Sequence, residues 1–317
     1  MSISWMKKLS YLMMVMSFFV VVMSESYFLM WFSFELNLVS FCYIMWNGKN
    51  FSSINSMMKY YIIQSLSSML FLMMLILSES MMVYNLSVSF LSVMMIFKMG
   101  LFPFIFWVPE VVEGMDWNSL IIFFTGQKII PLYILTILDF YYMYMVIILT
   151  MMMGLLLMYN QISIRKFMAY SSMVHSGWML MSIDMGVLVW VLYLLIYFIS
   201  MYNMMKLESL NSFYQLKFLF FSDMMLILLI FLNLSGLPPF LGFFSKIYIM
   251  FFLMDSSFSI MIFMIFVSIL TSYVYLMYMS MMFFFKKKNI NMKMEKFKFS
   301  MNMLFLMVML FIFLMFL

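Results

Sequence analysis

KMGLFPFIFW (98–107) and SGLPPFLGFFSK (235–246) decide the fold of this chain. Each sets Gly and Pro inside a long apolar run, and GLFPF and GLPPF are nearly the same pentapeptide. Proline has no amide hydrogen to donate, and its ring clashes with the preceding turn, so each run reads as a helix with a break in it. Interrupted apolar segments at corresponding places in two halves are the best sequence pointer to a transport site. Each break has a lysine within two helical turns, Lys98 at the first and Lys246 at the second. A Pro kink without function is the alternative, and the paired lysines weigh against it.

Working outward, the rest of the chain is equally apolar. It is 68% hydrophobic and 9% charged, against roughly 45–50% and 25% for a soluble domain. Its apolar runs reach the roughly 18 residues that span a hydrocarbon core. Lipid admits only helices or closed barrels, and the runs are continuous where a barrel needs short alternating ones. The expected fold is an all-α membrane protein of about eleven transmembrane helices. They lie near 6–23, 26–46, 57–77, 81–106, 117–138, 141–159, 167–183, 186–205, 218–254, 256–285 and 300–317. The ninth is too long for one straight helix and carries the second break. The fourth span of helices one to five matches the fourth of helices six to ten. Five is odd, so the two repeats, about 6–138 and 141–285, are expected to be inverted within a single domain, 1–317, closed by a C-terminal helix.

The charges sort themselves by loop. Fourteen of the 17 basic residues fall on the N-terminal side, while Glu25, Glu79, Asp139, Asp184 and Asp255 fall on the other. This is the positive-inside pattern, with the N-terminus on the matrix or cytoplasmic side. The lysine run from Lys286 to Lys298 reads as a solvated topogenic loop or as an anionic-lipid site such as cardiolipin. It is too short, and too closely flanked by spans, to be a nucleic-acid signal.

Four charges are left inside the membrane: Glu35, Lys98, Lys128 and Lys246. Each costs about 2.5–3.5 kcal/mol at mid-bilayer, and such residues mark ion or proton pathways. At 1.5 Å per residue, Glu35, Lys98 and Lys128 are too deep to reach the surface, whereas Lys246 has snorkelling open to it. His175 lies on span seven, the repeat mate of span two, which carries Glu35. Ser171, Ser172, Ser176 and Tyr170 read either as water-holding hydroxyls along span seven or as ordinary packing hydroxyls. Glu110 and Glu113 are expected in a loop. A static ion pair would account for Glu35 and Lys98 but leaves Lys128 and Lys246 without acidic partners.

One Cys (Cys42) and one His (His175) exclude iron–sulfur or bis-His haem sites within the chain. Any redox centre of a larger machine lies elsewhere. Met occurs 50 times, Phe 40 times and Gly 9 times, with Ala only at Ala169 and Arg only at Arg165. Ala depletion has no packing rationale, since small residues help membrane helices approach. An AT-rich organellar genome explains it better than selection for adaptable methionines.

FELNLVSF (34–41), KYYIIQSLSSMLFL (59–72), KMGLFPFIFWVPEVVEGMDW (98–117), TGQKIIPLYIL (125–135), IRKFMAYSSMVHSGWML (164–180) and LSGLPPFLGFFSKIYI (234–249) carry a resemblance covering most of the chain. At these motifs it resembles the subunit-2 family of mitochondrial NADH:ubiquinone oxidoreductase, the antiporter-like subunits of complex I. Animal members look like a fourteen-helix antiporter fold without its first three helices, which suits eleven spans. The resemblance implies a proton relay. Glu35 would pair with Lys98 on the first broken helix, Lys128 would link, His175 would sit on the central hydrophilic axis, and Lys246 would face the exit. Ser245 stands where many relatives have Pro, and Gly126 where many have Trp.

It also implies residence in the inner mitochondrial membrane, N-terminus in the matrix and C-terminus in the intermembrane space. Complex I subunits 3, 4, 4L and 6 and supernumerary subunits would be the partners. FMN, iron–sulfur clusters and ubiquinone would be held by other subunits, with no cofactor in this chain. Desolvation disfavours a lysine's charged form and a nearby carboxylate favours it, so a change at Glu35 would make Lys98 take up or release a proton. The sequence leaves two rivals: a stand-alone or multi-subunit cation/proton antiporter, and a structural scaffold of the membrane arm.

Overall fold

The computed structural model describes residues 2–46, 50–80, 84–138, 142–205 and 221–287. Among these every regular element is a helix. Six helices are long and apolar enough to cross a membrane: Trp5–Met23, Tyr27–Met45, Phe51–Leu77, Trp117–Ile137, Val187–Met204 and Phe258–Ser280. Val88–Met99, Met143–Tyr159 and Leu241–Met254 are apolar but shorter. The expected span 300–317, Lys49, Lys206, Lys217, Asp139 and the lysine run from residue 288 onward lie outside the described residues.

The chain divides into two compact units, one of residues 1–157 with 165–190, the other of 158–164 with the residues from 191 on. The first unit holds α1 (Ser2–Met23), α2 (Tyr27–Met45), α3 (Phe51–Ser80), α4 (Tyr84–Met99), α5 (Trp107–Gly114), α6 (Trp117–Phe124), α7 (Gly126–Ile137), most of α8 (Met143–Tyr159) and most of α9 (Ile164–Ile183). Within it α3 packs on α2, α4 and α5, and α7 packs on α4 and α1. Gly154 and Gly177 let α8 and α9 approach closely, since a Cβ on Gly154 would meet Val174 at 3.1 Å and the Tyr170 carbonyl at 3.2 Å. Small residues serve this purpose in membrane helices. The second unit holds most of α10 (Val187–Met205), α11 (Phe221–Ser235), α12 (Leu241–Ser256) and α13 (Phe258–Lys287).

Serines are tolerated inside these helices because their hydroxyls are satisfied locally. Ser17, Ser33, Ser40 and Ser67 each donate to the carbonyl three residues back, which removes a polar group that lipid would penalise.

The two breaks have the same local geometry. Gly100 and Gly236 take φ of +67° and +75°, which an L side chain disfavours. Each glycine ends its helix with paired reverse bonds: Gly100 N–H to Phe97 and Leu101 N–H to Ile96, then Gly236 N–H to Asn233 and Leu237 N–H to Leu232. This is a Schellman ending. Both chains then turn through a cis proline, Phe102–Pro103 and Pro238–Pro239. Phe104 N–H closes the first turn on Leu101 at 2.6 Å, and Phe240 N–H closes the second on Leu237 at 3.0 Å.

Glu110 and Glu113 are not in a loop, as the sequence suggested. They lie on α5. Pro109 sits in the first turn of that helix, where an amide would lack a partner anyway, and Glu110 faces the positive end of the helix dipole. Span 117–138 is also interrupted, at Thr125, whose hydroxyl donates to the Ile121 carbonyl at 2.6 Å.

Candidate functional site

The site in the first unit begins where α3 lies between α2 and α4. Lys98 lies in the last turn of α4, two residues before Gly100, and is buried. Its ammonium stands over the ring of Phe34, 3.1 Å from the centroid. The ring also packs against Phe71, edge-on at 5.4 Å. Glu35 follows Phe34 on α2, so a helical step of 100° turns it elsewhere. Its carboxylate accepts from the Ser68 hydroxyl at 2.6 Å. Glu35 therefore acts on Lys98 through space, not as a contact ion pair.

Lys128 is on α7, also buried. Its ammonium donates to the Ser172 carbonyl on α9 at 2.7 Å. Beside it, Gln127 and Asn37 form a reciprocal amide pair, Asn37 Nδ2 to Gln127 Oε1 at 2.8 Å and Gln127 Nε2 to Asn37 Oδ1 at 3.2 Å. The Tyr60 hydroxyl donates to the same Gln127 oxygen at 3.0 Å. Lys98 and Lys128 line one cavity, with Asn37, Tyr60, Gln64, Gln127 and Ser172 as its other polar walls. It leaves about 30 Å³ for the centres of water molecules, room for at least one bound water with several polar partners. His175 is buried on α9, three residues beyond Ser172. Ser171, Ser172 and Ser176 donate to their own helix, at Met168, Ala169 and Met173, which leaves their oxygens as acceptors.

In the second unit Lys246 is buried on α12, and snorkelling is not what it does. Its ammonium turns back onto the open end of α11, donating to the Ser235 carbonyl at 2.8 Å and the Leu234 carbonyl at 3.1 Å. Those are among the last carbonyls of a helix, where partial negative charge accumulates. Gly236 makes the space, since a Cβ there would meet Lys246 Cδ at 2.8 Å and Nζ at 3.0 Å. Asn233 Oδ1 accepts the Gly242 N–H at 3.0 Å and ties α12 to the same end.

A charged cluster anchors α5. Lys59 bonds Glu110 at 2.6 Å, Lys166 bonds Glu113 at 2.8 Å, and Arg165 donates to the Glu113 carbonyl at 2.7 Å. The bond from Lys59, with its charge, holds the Glu110 carboxyl below the usual carboxylate range.

The four lysine and glutamate candidates were conspicuous in the sequence. Asn37, Gln64, Ser68 and Gln127 were not singled out as site residues. The available signal was weak, namely neutral polar side chains within apolar spans.

The family model for NADH:quinone oxidoreductase and Mrp antiporter transmembrane subunits matches residues 24–272. The chain belongs to this antiporter-type family. Both breaks and Glu35, Lys98, Lys128, His175 and Lys246 fall within the segment that the antiporter-type family model matches. NADH-ubiquinone oxidoreductase chain 2 of Anopheles gambiae is 37% identical over 259 residues, covering 76% of this chain and 76% of that one. The Bos taurus chain 2 is 32% identical over 250 residues, covering 72% and 71%. Among solved structures, a chain of respiratory complex I from Thermus thermophilus with bound aureothin is similar with a TM-score of 0.76, over 86% of this chain and 69% of that one, at 21% identity. A chain of the Mrp complex from Dietzia sp. is similar with a TM-score of 0.69, over 84% and 58%, at 16% identity. These likenesses are of fold.

Proposed function

We propose that the chain is the antiporter-like subunit 2 of respiratory complex I and carries protons across the inner mitochondrial membrane. NADH oxidation in other subunits drives the transfer. The observation that carries this reading is the cavity shared by Lys98 and Lys128, two buried lysines on one cavity that has amide walls and space for water. A proton released at Lys98 would cross by water to Lys128, pass along α9 near His175, and reach Lys246. Glu35 sets the first step, because its charge favours an ammonium at Lys98 and its neutralisation withdraws that support.

In this reading the two matching breaks belong to inverted five-helix repeats within an eleven-span protein, N-terminus in the matrix and C-terminus in the intermembrane space. FMN, iron–sulfur clusters and ubiquinone belong to other subunits. Subunits 3, 4, 4L and 6 and supernumerary subunits surround the chain, and cardiolipin meets the Lys286–Lys298 segment. The Lys128→Met variant tests the relay: the complex assembles, and its proton-to-electron ratio falls. A normal ratio in the assembled variant overturns the relay.

A further inference from the structure

Ser68 differs from the other helix serines described above. Its hydroxyl lies 2.6 Å from Glu35 Oε1 and 3.0 Å from the Ser65 carbonyl. It has one proton for two acceptors. The shorter distance lies at the short end of the range of about 2.5–3.0 Å for a hydroxyl hydrogen bond. At Ser33, Ser40 and Ser67 the hydroxyl meets its own helix backbone. At Ser68 a carboxylate from another helix competes for it.

Gln64 lies one turn earlier on the same face of α3. Its amide donates to the Lys98 carbonyl at 3.0 Å. That carbonyl belongs to the open end of α4, two residues before Gly100. In the second unit the carbonyl two residues before Gly236 is that of Leu234, and there Lys246 is the donor. A neutral amide thus caps the first broken helix at the position where a lysine caps the second. One face of α3 holds both parties to the Glu35–Lys98 coupling, the carboxylate through Ser68 and the helix end through Gln64. Both side chains are buried.

We propose that Ser68 is a positioning residue for the proton relay, its hydroxyl holding the Glu35 carboxylate aimed while Gln64 fixes the end of α4 that carries Lys98. The inference rests on the relay reading. When Glu35 takes a proton from the relay, its oxygen loses the charge that attracted the hydroxyl, and Ser68 turns to Ser65. When Glu35 gives the proton back, Ser68 returns. Ser68 keeps its own proton throughout, and no covalent bond on it changes. The α3 backbone is thereby made sensitive to the charge of a carboxylate on α2.

The test uses the assembled complex in proteoliposomes with Ser68→Ala, Ser68→Thr and Glu35→Gln. Two quantities are read: the infrared band of a protonated carboxyl, assigned to Glu35 by its loss in Glu35→Gln, and the proton-to-electron ratio. Loss of the hydroxyl that Glu35 accepts is expected to change the intensity or position of the Glu35 carboxyl band in Ser68→Ala. The proton-to-electron ratio is expected to fall with it. Threonine keeps the hydroxyl and restores both. If Ser68→Ala assembles with the wild-type band and ratio, the inference is overturned. If Glu35→Gln pumps normally, the relay reading fails instead. Should Ser68→Ala not assemble, Ser68→Cys keeps the volume with a weaker donor. It must move both readouts in the alanine direction, and unchanged readouts overturn the inference.

Discussion

The Lys98 ammonium stands 3.1 Å from the centre of the Phe34 ring, and Phe34 is the residue before Glu35. One helical step on α2 therefore delivers two different influences to one lysine. The ring face offers contact, and the carboxylate offers a field whose sign depends on a proton. Because the contact partner is a ring, the ammonium is not locked into a salt bridge.

Phe34→Leu should remove up to about 2 kcal/mol of support for the ammonium. Coupled proton transport in the assembled complex is expected to fall, while Phe34→Trp, which offers a richer ring face, retains it. Equal ratios in the leucine and tryptophan variants would show that the ring only fills space.

The Asn37–Gln127 pair makes a second expectation. Asn37→Leu takes the Asn37 acceptor from the Gln127 Nε2 while Tyr60 still serves its oxygen, and Gln127→Leu takes both amide bonds from Asn37, at about 1–3 kcal/mol each. The double variant should be less destabilised than the two losses added together. Thermal unfolding of the detergent-purified complex measures the three values, and strict additivity would contradict the pairing.

Gly236→Ala faces two penalties, a left-handed backbone and a collision with Lys246. Backbone strain alone is about 1–3 kcal/mol. A lower unfolding temperature is expected for this variant. Gly186→Ala, also at positive φ but with open space around it, should carry the strain without the displaced lysine. Proton transport should therefore distinguish the two, falling further in Gly236→Ala.

The Lys59–Glu110 tether predicts a pH response at α5. Glu110 ionises more readily in the folded chain than in the unfolded one. Its contribution is complete above the ordinary carboxylate value and disappears as pH falls through the lower folded value. Hydrogen exchange of α5 amides should accelerate across that acidic window, and Glu110→Gln should abolish the change. The pair is exposed, so salt should weaken the effect as acid does.

The lysines were legible because a full charge in an apolar run is too costly to be incidental. Both breaks were legible because Gly and Pro leave little conformational choice. The amide and hydroxyl supports were not. Asn37 and Gln127 lie 90 residues apart, and nothing local separates Ser68 from the many serines that bond their own helix. Only the tertiary arrangement gives Ser68 a second acceptor. The helix α5 was missed because eight residues beginning at a break carry too little periodicity to separate from a loop.

Lys246 holds two carbonyls, those of Leu234 and Ser235. An ammonium has three hydrogens and a neutral amine has two. The lysine can therefore part with one proton while both hydrogen bonds persist. The end of α11 favours the ammonium yet keeps its grip on the neutral amine, so discharge at that position requires no departure of the side chain.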